Sequence, residues 1–336
     1  MAETVASLGE RALIARLRSR LAPDPPHIRL GIGDDAAVLE PERGMQIVVT
    51  TDSLVEDVHF RRAWTPAAAI GHKALAVNLS DLAAMGATPR ASLLSLGLPA
   101  TLPIAEFDAL IDGYATLSAA TRTPLVGGNI ARSPGPLLID VTAIGSVRPR
   151  RVLRRTGARA GDELYVTGAP GRSAAGLALL AAGIPRDAMD ADERECLVWH
   201  ERPEPRLRLG RIVARTSAAT AAMDLSDGLA DAAATLAAEA GVGVVLDEAA
   251  VPIARGVSRV AGRIGGRSAL EIAIGGGEDY ELAFVVPARR RSRFLAAVRR
   301  SGDVTVTRVG VFERGHGAWL ETGSGRRPLP HGFAHF

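Results

Sequence analysis

The side chains best suited to chemistry in this chain are carboxylates, and they are unevenly placed. Asp34 and Asp35 stand in GIGDD, Asp52 follows Thr50 and Thr51, and Asp81 lies in NLSDLAAMG. Asp224 and Asp227 stand in DLSDG, while Glu278 and Asp279 follow three glycines in GGGEDYE. Short carboxylates on glycine-punctuated turns at element ends suit hard cations, which take oxygen ligands and keep several waters. Glycine beside them lets backbone N–H groups approach phosphates closely. Each piece alone has a plain alternative. GIGDD can be only a turn, and DLSDG can be a helix start with Ser226 or Asp227 as N-cap. His59 and His72 can be satisfied structural histidines, and Arg289–Arg293 a solvated helix face. The joint occurrence and order of the motifs carries more than any one of them.

Several chemistries are excluded. Lys73 is the only lysine and stands in Gly71-His72-Lys73-Ala74, so no G-x-x-x-x-G-K-[ST] phosphate loop exists and the lysine-dependent protein-kinase motifs are missing. Cys196 is the only cysteine, which rules out an intrachain disulfide and a cysteine-built metal centre. Forty basic against thirty-seven acidic residues leave a formal charge of +3, and aromatics make up 4%. That balance does not suggest nucleic-acid binding. No apolar run approaches the roughly 18–20 residues of a membrane span, and the N-terminus, with Glu3 and Glu10, has no apolar signal region. A cytoplasmic protein is the expectation.

The elements that must position these residues follow from periodicity and punctuation. Ser7 and Glu10 have capping-box spacing ahead of Leu13, Ile14, Leu17 and Leu21 on one helical face, and Pro23–Pro26 ends that helix. Ile47–Val49 reads as a short strand running into Thr50-Thr51-Asp52, and Thr65-Pro66 starts a helix that reaches Met85 and stops at Gly86. Ala91–Leu98 reads as a strand, Pro103–Thr121 as a helix, Leu125-Val126 as a strand ending on Gly127-Gly128, and Leu137–Val147 as a strand. An arginine-rich joint, Arg148–Arg155, places a domain boundary near residue 150, giving domains 1–150 and 151–336. Strand–helix alternation resumes beyond Gly161, through Glu163–Thr167, Ala174–Ala182, helices after Pro205 and Gly228, and strands near Val242–Leu246, Glu281–Val286 and Val304–Val311. With 336 residues and 47% hydrophobic content, the chain is long enough for two mixed α/β (α+β) domains.

In order, GIGDDAAV, TTDSLVEDVHF, KALAVNLSDLAAMGA, LVGGN, GDELYVTGAPGRSAAGL, MDLSDGL, GGEDYEL and a terminal HGFAHF resemble the thiamine-monophosphate kinase family from about residue 8 to the end. The wider superfamily includes aminoimidazole ribonucleotide synthetase, selenophosphate synthetase and a hydrogenase-maturation enzyme. The resemblance implies the two-domain aminoimidazole ribonucleotide synthetase-like fold, with an N-terminal α/β domain that forms a dimeric β-barrel, a C-terminal α/β domain, and ATP and Mg2+ at their junction. Position by position it implies Asp35, Thr50, Thr51, Asp52, Asp81, Asn129, Asp224 and Asp227 as magnesium ligands. Gly128, Asn129, Arg155 and Ser226 are implied to contact ATP, and His59, Glu278 and Phe333 to line the thiamine monophosphate site. A carboxylate at Glu278 can offset a cationic thiazolium or pair with an aminopyrimidine, and Phe333 offers a ring face to a flat cation. One position departs: the family has GGD where this chain has Gly127-Gly128-Asn129, so Asn129 can ligate only through an uncharged amide oxygen.

The implied reaction is direct transfer of the γ-phosphoryl group of ATP to thiamine monophosphate. Its acceptor is a phosphate monoester, largely dianionic at pH 7, which hardly needs a general base. A selenophosphate synthetase-like reading would ask for a reactive cysteine near the N-terminus, and a hydrogenase-maturation-like one for a cysteine-bearing tail. This sequence has neither. A nucleotide-binding regulator without turnover is the alternative from another class, and Asn129 is the feature that favours it. ATP and thiamine monophosphate are the expected partners, in a homodimer with no nucleic acid or membrane.

Overall fold

The structure, a computed structural model, describes residues 3–33, 35–302 and 304–330. The chain divides into two compact units: Met1–Leu82 with Thr88–Pro149, and Ala83–Ala87 with Arg150–Phe336. Asp34, Phe333 and the rest of the HGFAHF tail lie outside the described residues.

The first unit is built from α1 (Val5–Leu8), α2 (Glu10–Arg18), β1 (Ile28–Leu30), β2 (Val38–Leu39), β3 (Gln46–Val55), α3 (Ala67–Ala84), β4 (Thr88–Pro99), α4 (Ile104–Thr121), β5 (Leu125–Ser133) and β6 (Leu138–Val147). The last residues of α3 count with the second unit. β1 pairs with β2, and the other strands form a four-stranded sheet in the order β3-β6-β4-β5. Only β4 and β5 run parallel in that sheet. Alternation fixes its buried face: Leu94, Leu96 and Leu98 of β4 and Ile139, Val141 and Ala143 of β6 are all buried. The two long helices touch through glycine. A Cβ on Gly71 of α3 would fall 1.8 Å from the Leu110 carbonyl oxygen, and one on Gly113 of α4 would fall 1.9 Å from that of Ala68. Backbones this close leave α3 little freedom, and its last turn carries Asp81.

Three expectations for this unit are corrected. No capping box forms at Ser7: its hydroxyl donates to the Thr4 carbonyl, and Gly9 at φ 76° breaks the segment into α1 and α2. Thr50, Thr51 and Asp52 do not follow a strand; they lie inside β3, which runs ten residues because it pairs with β6 along its whole length. Gly127 and Gly128 do not end a strand either. β5 continues through them beside β4, and a Cβ on Gly128 would fall 1.8 Å from the Leu94 carbonyl oxygen, so that close approach requires glycine.

The second unit contains β7 (Asp162–Thr167), α5 (Arg172–Ala181), α6 (Ala191–Glu201), α7 (Leu207–Thr216), β8 (Ala221–Asp224), α8 (Leu229–Ala238), β9 (Gly243–Asp247), α9 (Arg255–Ile264), α10 (Ala269–Gly275), β10 (Leu282–Pro287), α11 (Arg291–Ser301), β11 (Val306–Glu313), β12 (Ala318–Thr322) and β13 (Gly325–Pro328). Its strands form a seven-stranded sheet in the order β13-β12-β9-β11-β7-β10-β8. The residues of β7, β8 and β10 are buried on both faces, which explains the continuous apolar run of β10 and leaves Asp162, Glu163 and Thr167 of β7 and Asp224 of β8 as buried polar groups. Leu164, Val166, Met223 and Val285 pack with Leu229, Ala233 and Leu236 of α8, while Tyr165, Ala222, Phe284 and Val286 pack with Leu209 and Val213 of α7 and Phe294 of α11. The strand that ends on Asp224 is short and alanine-rich, so sequence alone does not reveal it.

Candidate active site

In the first unit, β3 and α3 bring acids together. Thr50 and Asp52 share one face of β3, and the Thr50 hydroxyl donates to the Asp81 carboxylate. The carboxyl of Asp52 is pushed up to about 6. Burial is the main cause, followed by the charges of Asp81 and Asp140 and a hydrogen bond with Asp81. Two carboxylates within hydrogen-bonding reach at the end of a constrained helix must share a proton or a cation. Thr51 and Ser53 point to the other face, where both donate to Asp140, at 3.3 and 2.5 Å, and Thr142 donates to Thr51 at 3.1 Å. Asn129 lies opposite Ser95, and Ser95 lies opposite Asp140. Asp140 is therefore two strands from Asn129 in direct register, a carboxylate that sequence reasoning missed because it stands in an otherwise unremarkable strand.

Asp35, Gly128 and Asn129 line one cavity of ≈ 1040 Å³, together with Leu17, Leu94 and Val126. His59 sits in the turn after β3, and its Nδ1 accepts the Val55 N–H at 3.1 Å. That acceptor role leaves the neutral ring with its proton on Nε2.

In the second unit, two of the acidic motifs lie directly against one another. The Leu225 N–H donates to the Glu281 carbonyl at 2.8 Å, Tyr280 N–H to the Leu225 carbonyl at 3.1 Å, and Glu278 N–H to the Ser226 carbonyl at 2.6 Å. Asp224, Ser226 and Asp227 are thereby assembled with Glu278. Asp224 ends β8 and is buried, while α8 starts from Gly228 with no side-chain cap. Neither Ser226 nor Asp227 is spent as an N-cap. Arg155 is exposed on a segment pinned to β8, where the Ala222 N–H donates to the Arg154 carbonyl at 3.0 Å. Glu278 and Tyr280 both hold positive φ, 63° and 51°, a conformation costly for such residues unless the surroundings impose it.

The surroundings that impose it are Asp279, one of the motif acids, and a set of buried charges that the sequence did not single out. Asp279 is fully buried, and its carboxylate accepts the backbone N–H groups of Gly171 and Ser173 at the start of α5. Burial nevertheless pushes that carboxyl up to about 7. Glu281 is also fully buried and receives Arg172 at 2.8 Å and a two-pronged contact from Arg206, at 2.8 Å on each oxygen. Trp199 of α6 lies under both guanidinium groups, 3.5 Å from Arg172 and 4.9 Å from Arg206, and its indole N–H donates to the Asp279 carbonyl at 3.0 Å.

The oxygen-only donors fit a hard cation by type. Among the described residues, no group of three or more His, Cys, Asp or Glu is arranged to hold a metal ion alone. A pair of carboxylates with hydroxyls beside it matches the way Mg2+ is commonly held, through one or two carboxylates plus substrate phosphates and water.

Known proteins share this fold. The AIR synthase related protein, N-terminal domain, family matches residues 33–147, and its C-terminal domain counterpart matches residues 159–320. The fold is that of the AIR synthase-related class. Within it, the thiamine-monophosphate kinase of Escherichia coli K12 is 40% identical over 295 residues, covering 88% of this chain and 87% of the relative. The crystal structure of thiamine-monophosphate kinase from Stenotrophomonas maltophilia superposes with a TM-score of 0.82 at 39% identity, over 94% of this chain and 97% of that one. AaThiL complexed with AMPPCP and TMP superposes with a TM-score of 0.78 at 31% identity over 100% of both chains. The chain belongs to the thiamine-monophosphate kinase family. A hydrogenase maturation protein in complex with ATP shares the fold alone, with a TM-score of 0.78 at 21% identity.

Proposed function

We propose that this protein transfers the γ-phosphoryl group of ATP to thiamine monophosphate, giving thiamine diphosphate and ADP in one in-line displacement, the last step of thiamine diphosphate biosynthesis. The observation that carries the reading is the Asp52–Asp81 pair with its Thr50 hydroxyl. It provides charge and oxygen ligands, while no side chain stands out as a nucleophile. This suits an acceptor that is already a dianion and needs repulsion screened more than a proton removed.

Asp52, Asp81 and Thr50 would hold magnesium on one face of β3 and Thr51 would add an oxygen on the other, beside Asp140, with Asp35 and Asn129 as further ligands in the first unit; Gly128 and Asn129 would meet the nucleotide phosphates. Asp224 and Asp227 would add ligands in the second unit, and Ser226 and Arg155 would contact ATP. Bound Mg2+ would supply charge neutralisation for the reacting phosphates. His59 would offer its Nε2–H to the acceptor phosphate, and Glu278 would face the thiamine cation. Phe333 keeps the role the family resemblance gives it. A homodimer is supported by Ile47 and Val49, 66% and 60% exposed on β3, an edge strand. A cytoplasmic location is supported by the single cysteine and the use of ATP. No helix among the described residues is long and apolar enough to cross a membrane.

The test is product analysis with ATP and either thiamine monophosphate or free thiamine at equal concentration. Thiamine diphosphate and ADP should form from the monophosphate, with free thiamine a poor acceptor because its un-ionised alcohol finds no base. Efficient turnover of thiamine with little of the monophosphate would overturn the proposal.

A further inference from the structure

Residues 279–281 are each tied down. Asp279 takes two backbone N–H groups of the α5 start, Tyr280 donates its N–H to the Leu225 carbonyl, and Glu281 takes two arginines. Glu278 is set by its backbone, with its N–H on the Ser226 carbonyl and φ at 63°, yet its side chain is 26% exposed and long enough to sample several rotamers. On its inner side lies His200, near the end of α6 and 4% exposed. The His200 Nδ1 is 3.5 Å from Glu278 Oε2 and 3.0 Å from Ser173 Oγ. α6 is not free to shift away. Trp199 is anchored on the Asp279 carbonyl and stacked by two arginines, and a Cβ on Gly176 of α5 would fall 2.4 Å from the Cys196 carbonyl oxygen.

We infer that His200 is a positioning residue for Glu278. Its Nδ1–H, shared with the Ser173 hydroxyl, holds the Glu278 carboxylate in one rotamer for the cationic part of the acceptor. The inference rests on the reading of Glu278 as the thiamine-facing carboxylate. The ring is buried behind Glu278, so it acts through that carboxylate on acceptor binding and not on the transfer step. Ordering one long side chain ahead of binding is worth roughly 3- to 10-fold in affinity.

The experiment compares KM for thiamine monophosphate, KM for ATP and kcat in His200→Leu, His200→Gln, His200→Asn, Glu278→Ala and the double variant of Glu278→Ala with His200→Leu. Asn can place an amide N–H where Nδ1 stands, whereas Gln places it near Nε2. His200→Leu and His200→Gln are expected to raise KM for thiamine monophosphate roughly 3- to 10-fold. KM for ATP and kcat should stay within about twofold, and His200→Asn should restore most of the loss. With Glu278→Ala already present, His200→Leu should add less than about twofold, since the carboxylate it orders is gone. If Glu278→Ala raises the acceptor KM while His200→Gln and His200→Leu leave it unchanged, the positioning role is overturned. It is equally overturned if the His200→Leu effect persists undiminished in the double variant. An unchanged acceptor KM in Glu278→Ala overturns the assignment of Glu278 itself. Should the leucine variant fail to fold, the Gln-against-Asn split decides alone.

Discussion

Replacing Asp81 by asparagine separates a metal-holding acid from a structural one, because the two predict opposite changes in stability. The Asp52 carboxyl is raised from 3.8 to about 6, which corresponds to about 3 kcal/mol against its charged form. Burial is the largest cause, so the Asp81 charge accounts for at most about half of this, on the order of 1 kcal/mol. Asparagine keeps an oxygen to accept the Thr50 hydroxyl and removes the like charge. Without magnesium, Asp81→Asn should therefore melt at the wild-type temperature or about 2–4 °C above it. Turnover should fall roughly 10²-fold or more, because a ligand to a charge-neutralising cation has been lost. The assays are thermal melts with and without magnesium and a coupled ADP-release assay over a magnesium titration. Near-wild-type turnover at limiting magnesium would falsify the metal role. A melting temperature lowered by several degrees would show that Asp81 is held for structure.

Two further outcomes follow from individual sites. Asn129→Asp should reach half-maximal activity at lower magnesium with a similar or higher maximal rate, since it adds a charge in register with Ser95 and Asp140; an unchanged midpoint in a titration at saturating ATP refutes this. Asp279 binds its proton more tightly folded, with its pKa at about 7, than unfolded, at 3.8, so its ionisation costs stability progressively as pH rises from about 4 to 7 and no further above. Measured against Asp279→Asn, the wild-type unfolding free energy should fall by at most about 1.4 kcal/mol per pH unit across that window; parallel pH profiles for the two proteins would refute it.

Most acids of the candidate site stand in short motifs and were legible in the sequence, but Asp140 and the surroundings of the others were not. Thr50, Thr51 and Asp52 form a polar run that interrupts the apolar alternation of β3, so the strand reads as ending at Val49. Only pairing with β6 shows that Thr50 and Asp52 share one face while Thr51 and Ser53 face Asp140. The buried charges of the second unit were hidden for another reason. Arg172 and Glu281 are 109 residues apart, and Arg206 and Glu281 are 75 apart, so no local pattern marks them as partners. Charged residues on helices read as solvated faces until the fold pairs them. His200 escaped in the same way, as a polar residue at the end of a helix whose partners Ser173 and Glu278 are distant in sequence.

The glycines of the motifs acquire a cause that differs from the one their sequence context suggests. Read along the chain, they look placed to admit phosphates to the backbone. In the fold Gly128, Gly228 and Gly277 are each required first by another stretch of protein backbone. A Cβ on Gly277 would lie 2.7 Å from the Ser226 carbonyl oxygen, and one on Gly228 would lie 2.8 Å from that of Gly276. Gly128 is pressed against Leu94 in the same manner. These contacts join DLSDG to GGGEDYE and β5 to β4, and so decide where Asp224, Asp227, Glu278 and Asn129 can be. The cost of this close packing appears as positive φ at Glu278 and Tyr280, offset by the carboxylates of Asp279 and Glu281 buried behind them. Glycine therefore serves the chemistry indirectly: it lets the acid-bearing segments touch, and the acids are held in place as a consequence.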